Sequence, residues 1–196
     1  MSALPLPKMS DEEFIAFEQA SDVRHEFFNG EVFAMAGGNA SHSLIKSNTN
    51  SLLQVGLRKR PCRVYDSDMM VTVRATGLKT YPDISVVCAR PKFQDLRELE
   101  LLNPILIVEV LSEATAAYDR GKKFWHYRHL ESLMEYVLVS TDEPLIEVYR
   151  RNGDGTWTLQ SYDGLEAVAG LRSIEVDLPL SEVYAKTGLA GEAAAD

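Results

Sequence analysis

Basic residues are in short supply in this chain. Twenty lysines and arginines stand against 29 aspartates and glutamates, a formal net charge of −9. A protein that coats DNA nonspecifically needs a broadly basic surface, so that class is disfavoured. A locally basic cleft, or an acidic site whose charge a divalent ion neutralises, remains open. Cysteine is scarcer still. Cys62 and Cys88 make neither a disulfide framework nor a zinc spacing, and their strand-like, apolar settings predict free, buried thiols in a reducing cytoplasm. No apolar run approaches the ~20 residues needed to cross a bilayer, so no membrane partner is expected. The opening MSALPLPKMS lacks the apolar core of a signal peptide. Also missing are a glycine-rich loop of the P-loop type, an internal repeat and a low-complexity block.

What is present is an ordinary globular composition. Of 196 residues, 45% are hydrophobic and 25% charged, enough for one sizeable core. We expect a single domain over 1–196, with its core over about 10–188 and short disordered ends, AGEAAAD among them. Ser10 and Glu13 form a capping-box pattern ahead of a short helix, Asp11–Gln19. Asn29-Gly30 between apolar runs predicts a hairpin of Val23–Phe28 and Glu31–Met35. Ser41 is the expected cap of a longer helix, His42 to Leu57, with Leu44, Ile45, Leu52 and Val55 on its apolar face. Arg58, Lys59 and Arg60 suit that helix's C-terminus for dipole reasons alone. Cys62–Val73 and Tyr81–Cys88 read as an antiparallel strand pair across RATGLKT. Residues 90–103 read as a charged surface excursion with one helical turn.

Further on, Glu135–Ser140 reads as a buried strand, and Leu145–Arg151 with Thr156–Tyr162 as a second hairpin. One more strand within Leu165–Val176 and a closing helix from Ser181 complete the chain. The order implies an α/β (α+β) fold, a mixed β-sheet flanked by helices with additional antiparallel hairpins.

The stretch PILIVEVLSEATAAYDRGKKFWHY, Pro104 to Tyr127, organises the rest. Ile105–Leu111 reads as a strand covered on both faces. Glu109 interrupts it, and a lone buried carboxylate costs several kcal/mol unless a lysine, an arginine or a metal ion meets it. The helix that follows carries Lys122 and Lys123. Asp119, Lys123 and Tyr127 share one face at i, i+4 and i+8, while Lys122 points about 100° away. Phe124 and Trp125 are expected in the core, and Tyr127 in packing more than in chemistry. A second acid, Asp83, heads the strand DISVV after Pro82. If the two strands are neighbours, their backbones lie ~4.8 Å apart and two bare carboxylates repel. A divalent ion between them removes the conflict, since Mg²⁺ accepts one or two carboxylates and keeps several waters.

Four pieces, HEFFNGEVFAMAGGNASH, YPDISVV, ILIVEVLSEATAAYDRGKKFWHY and MEYVLVS, occur in an order and spacing that resembles the Uma2 (DUF820) branch of the PD-(D/E)xK nuclease superfamily. The resemblance spans about Arg24 to Val183 and implies a restriction-endonuclease-like fold, its nuclease core over about 41–140. It implies that Asp83 and Glu109 hold Mg²⁺ or Mn²⁺, and that Lys123 is the catalytic lysine. The superfamily places that lysine two residues after the acid, where this chain has Leu111; the Uma2 pattern takes it from the next helix. Resemblance also places His42 near the site. A third carboxylate is expected from Glu31 or Asp68, because the helix after His42 carries no acid. The function implied is a metal-dependent endonuclease acting on nucleic acid, DNA first, as a homodimer. The alternative is an inactive nuclease-fold module for binding or assembly, which the net acidity favours.

Overall fold

The computed structural model describes residues 7–35 and 37–189. The ends predicted to be disordered fall largely outside that range, AGEAAAD entirely so. Helix α1 (Asp11–Gln19) starts on the predicted capping box: Ser10 Oγ accepts from the Glu13 amide, and Glu13 reaches back to the Ser10 amide. Strands β1 (His25–Phe28) and β2 (Glu31–Ala34) form the first hairpin. Asn29 and Gly30 both have positive φ, 53° and 81°, as a two-residue turn matched to strand twist requires.

Helix α2 (Ala40–Leu57) is capped by Asn39, whose side chain accepts from the His42 amide, not by Ser41. Asn39 wins because it sits where the chain is still extended, at ψ −177°. The buried face is Ile45, Thr49, Leu53 and Leu57, so the predicted apolar stripe was rotated; Leu44 and Val55 are exposed.

The first long strand expected, Cys62–Val73, is divided between two sheets. β3 (Arg63–Asp66) pairs with β6 (Ile84–Val87) in one; β4 (Met70–Val73) pairs in the other with β5 (Leu78–Thr80), which forms within the expected loop RATGLKT. Polar turn chemistry splits the first stretch, with the Asp68 amide bonded to the Asp66 side chain. The second, Tyr81–Cys88, is shortened to β6, since Pro82 has no N–H for a ladder. The expected helical turn in 90–103 is replaced by a two-residue strand, β7 (Glu100–Leu101), parallel to β4.

β8 (Leu106–Val110) follows, then α3 (Ala116–Tyr118), a π turn (Asp119–Lys123) and α4 (Phe124–Tyr127) as one continuous helical segment. β9 (Glu135–Val139), β10 (Leu145–Arg151) and β11 (Trp157–Asp163) form a meander. β12 (Val168–Leu171) and β13 (Val176–Pro179) are a hairpin in place of the single strand predicted there, and α5 (Leu180–Val183) closes the fold. Among the described residues the sheets run β11-β10-β9-β8-β6-β3, β2-β1-β5-β4-β7 and β12-β13. No described helix is long and apolar enough to cross a membrane.

β8 lies inside the six-stranded sheet, parallel to β9 and antiparallel to β6. Leu106, Val108 and Val110 pack with Ile45, Leu53 and Leu57 of α2 and with the β12–β13 hairpin. Ile107 and Leu111 face the other way, toward Tyr127, Leu130 and Tyr136. Glu109 shares their parity, so its carboxylate lies beneath the helical segment.

Two features correct or extend the sequence reading. Cys62 and Cys88 are not free: they form a disulfide, Cα–Cα 3.9 Å. The register Arg63↔Val87 sets the flanking residues 62 and 88 directly opposite one another, which sequence spacing did not disclose. Both are half-buried. Glu135, fully buried on β9, is held by Arg150 Nε (2.8 Å), by the amides of Arg172 (3.1 Å) and Ser173 (2.9 Å), and by Ser173 Oγ (2.5 Å). It is a structural acid, tying the meander to the β12–β13 turn.

Two expectations follow. Glu135→Ala leaves the amides of Arg172 and Ser173 and the Nε of the half-buried Arg150 without their acceptor, and should lower the unfolding free energy by about 3 kcal/mol in denaturant melts. Thiol titration of the denatured protein should find no free thiol before reduction and two after, with reduction lowering stability by about 3 kcal/mol; two titratable thiols at the outset would contradict the bridge.

Candidate active site

Extending the register Ile84↔Val108 by one residue sets Asp83 opposite Glu109. Pro82 ends the ladder, so the side chain of Asp83 takes over: its Oδ2 accepts from the Val110 amide at 2.8 Å. Both acids line a cavity of about 250 Å³ between β8, the helical segment, the first hairpin and the Gly37-Gly38 loop. Glu109 is 4% exposed and Lys123 5%. Lys123 Nζ lies 2.8 Å from Glu109 Oε1, 3.2 Å from Glu26 Oε1 and 3.6 Å from Asp119 Oδ1. Tyr127 donates its hydroxyl to the same Glu109 Oε1 at 2.8 Å. Glu109 Oε2 accepts no hydrogen bond from a described residue.

The structure thus brings Asp83, Glu109, Lys123, His42 and Tyr127 together. Tyr127 is core and site at once, fully buried yet bonded to the acid. His42, on the first turn of α2, has Nε2 3.4 Å from Asp83 Oδ2. A Cβ on Gly38 would overlap the His42 imidazole, so glycine there lets the loop close onto that ring. Glu31 and Asp68 are placed elsewhere. Glu31 is exposed beside Lys8 (3.7 Å), and Asp68, its side chain 78% exposed, sits in a turn near Arg24 (3.4 Å).

The additional carboxylates come from Glu26 on β1 and Asp119 on the π turn, both lining the cavity. Sequence reasoning missed Glu26 because alternation along β1 sets it opposite the buried Phe27, the side that normally meets solvent. Here β1 joins β5, and that side is covered by the helical segment: Glu26 is bonded to Thr80 Oγ1 (2.5 Å) and Tyr118 Oη (3.4 Å). Lys46 was missed as well. One turn after His42, it stands 3.8 Å from Asp83 Oδ1 and 3.3 Å from Ser67 Oγ; the i, i+4 spacing of His42 and Lys46 was the available signal.

Electrostatics follow from this crowding. Four carboxylates and one ammonium line the cavity. Burial opposes the charge on Lys123, but Glu109, Glu26 and Asp119 outweigh it and raise the ammonium well above its ordinary value. Burial pushes the Glu109 carboxyl up to about 8, with Lys123 opposing and the charges of Asp119 and Asp83 adding. Asp119 is raised for the same leading reason. At Asp83 burial also acts to raise, but the His42 contact, the Val110 amide and Lys123 prevail and hold it below the usual carboxylate range.

Asp83 and Glu109 are the residues that could hold a metal ion: both line the cavity, and Glu109 Oε2 has no hydrogen-bond donor among the described residues. A divalent ion there would relieve the surplus negative charge.

The protein slr1290 of Synechocystis sp. is 35% identical over 181 residues, covering 92% of this chain and 93% of its own. The protein sll1609 of the same organism is 33% identical over 155 residues, 79% of this chain and 88% of that one. A crystal structure of a "putative nuclease belonging to DUF820" from Anabaena variabilis superposes with a TM-score of 0.76 at 19% identity, over 91% of this chain and 99% of that one. It establishes a shared fold. Residues 11–181 match the family described as "Uma2: Putative restriction endonuclease", and with that match, over a restriction-endonuclease-like fold, the chain belongs to the Uma2 family.

Proposed function

We propose that this protein is a phosphodiester hydrolase of the nuclease type, dependent on Mg²⁺ or Mn²⁺, with nucleic acid, DNA first, as its substrate. One observation carries the reading: Lys123 Nζ is fixed 2.8 Å from Glu109, across the sheet register from Asp83, at the wall of one cavity. Asp83 and Glu109 would hold the ion, which when bound supplies charge neutralisation for a phosphate oxygen and acidifies water. The remaining work belongs to side chains. Lys123, constrained by three carboxylates, keeps its ammonium aimed at the place where negative charge develops on the phosphate. Tyr127 holds Glu109 Oε1, so Oε2 would be available to a cation. The Val110 amide fixes Asp83, and His42 and Lys46 offer donors for a phosphate at the cavity mouth.

A duplex cut on both strands needs two such sites, so we propose a homodimer on symmetry grounds. The competing reading is a module that keeps the fold without hydrolysis. What favours it is the net charge of −9, which opposes binding to a polyanion.

Calorimetry with Mn²⁺ should show binding to the wild type that Asp83→Ala and Glu109→Gln each weaken at least tenfold. Metal-dependent cleavage of a labelled oligonucleotide should fall about 10²–10³-fold in Lys123→Met, with circular dichroism confirming the fold. A wild type that binds no divalent ion leaves the module reading standing.

Glu109 also sets a pH dependence in the metal-free protein. Its folded value, about 8, lies above the ordinary 4.5, so between these limits the native state holds a proton that the unfolded chain has released. Stability is therefore fully present below about 4.5 and is lost as pH rises through about 8. In EDTA, the Tm of the wild type should fall relative to that of Glu109→Gln from pH 5 to pH 9; parallel curves would refute the raised carboxyl.

A further inference from the structure

Trp125, expected in the core, is 46% exposed. It lies on α4 two residues after the buried Lys123, on the side of the helix turned away from the cavity. Its ring meets those of His126 and His129, each 4.9 Å away, and Phe28 lies 4.7 Å from His126. Lys122 and Arg128, three residues to either side of it, are exposed. A neighbouring hollow of about 600 Å³ brings Arg74 and Lys92 beside His129.

None of Lys122, Arg128, Arg74 and Lys92 is within ion-pair distance of an acid among the described residues. Cations without an acid partner among the described residues also occur elsewhere, Arg58, Lys59 and Arg63 among them. What sets these four apart is the exposed indole and the two imidazoles beside them, in a chain of net charge −9.

We propose that this face is a binding platform for single-stranded nucleic acid, with an unpaired base stacked on Trp125 and flanking phosphates on Lys122, Arg128, Arg74 and Lys92. The inference rests on the hydrolase reading above and names its substrate class. Charge complementarity selects a polyanion, and the indole selects one with accessible base faces; stacking on aromatic rings with backbone cations alongside is how single strands are held without sequence preference. The reacting groups argue the same way. Glu109 and Lys123 are almost wholly buried behind a cavity of about 250 Å³. A flexible strand bends one phosphate into such a space at little cost, whereas the stiffer duplex must be deformed to do the same. Lys122 and Lys123 are neighbours on the same helical segment, the first exposed and the second lining the cavity.

The test is fluorescence anisotropy with a fluorescein-labelled 20-residue oligothymidylate and a 20-base-pair duplex, in Ca²⁺ to limit turnover. The single strand should bind more tightly than the duplex and quench indole emission. Trp125→Ala should weaken single-strand binding about tenfold, with Trp125→Phe retaining most of it. Lys122→Glu with Arg128→Glu should flatten the salt dependence by at least two phosphate contacts, each worth a slope of about 0.7. Equal binding by Trp125→Ala and wild type, or duplex binding as tight with no quenching, overturns the platform. Trp125 and Lys122 are exposed, so unchanged thermal melts will show that the variants are folded. The two readings fail separately. Cleavage with no effect of Trp125→Ala on binding removes the platform alone. Single-strand binding through Trp125 without hydrolysis by wild type in Mn²⁺ removes the hydrolase and leaves the platform.

Discussion

One ammonium group, Lys123 Nζ, lies within 2.8–3.6 Å of three buried carboxylates, and a fourth lines the same cavity. In a low-dielectric interior such an imbalance is not neutralised by water. It is relieved by protonating an acid or by admitting a cation, and the raised Glu109 and Asp119 carboxyls record the first solution. Glu135 shows what the same fold does with an acid that has no such task. Equally buried, it meets a guanidinium, two amides and a hydroxyl, so every lone pair has a donor. The contrast separates structure from chemistry: one carboxylate is satisfied, the other is left with an oxygen facing a cavity.

Each member of the cluster depends on a different local device. Glu109 is fixed by the parity of β8, buried on both faces. Asp83 owes its position to Pro82, which ends the backbone ladder and frees the carboxylate to bond the Val110 amide. Lys123 and Asp119 sit on a π turn inside an otherwise α-helical segment, a distortion common at functional sites. Glu26 arrives through the Asn29-Gly30 hairpin, drawn against the segment by pairing with β5. The hairpin is therefore part of the site, and its removal would expose Lys123 as well as delete an acid.

Much of this was legible before any coordinates. A glutamate inside ILIVEVL contradicts its own environment, and that contradiction pointed to the cavity Glu109 lines. The family resemblance pointed to Lys123, which the structure places 2.8 Å from Glu109, and the capping box and Asn-Gly turn fixed the first elements. What was not legible depends on pairings between distant segments. The division of 62–73 between two sheets moved Asp68 into a turn. The β3–β6 register joined Cys62 to Cys88. Glu26 is buried only because a helical segment far along the chain covers its face. Trp125 erred the other way: an aromatic residue in a helix suggests core, but the inward positions were already filled by Lys123 and Tyr127.

The neighbours Lys122 and Lys123 sit in opposite electrostatic environments. Lys123 is committed to carboxylates and contributes little to the outside field. Lys122, about 100° around the helix, is free of acids among the described residues and works with Arg128 and His129. Net charge averages over both environments and so says little about either. Sparse cations that are free of acids, where they meet a polyanion, favour placement over tight coating, because affinity grows with each phosphate neutralised.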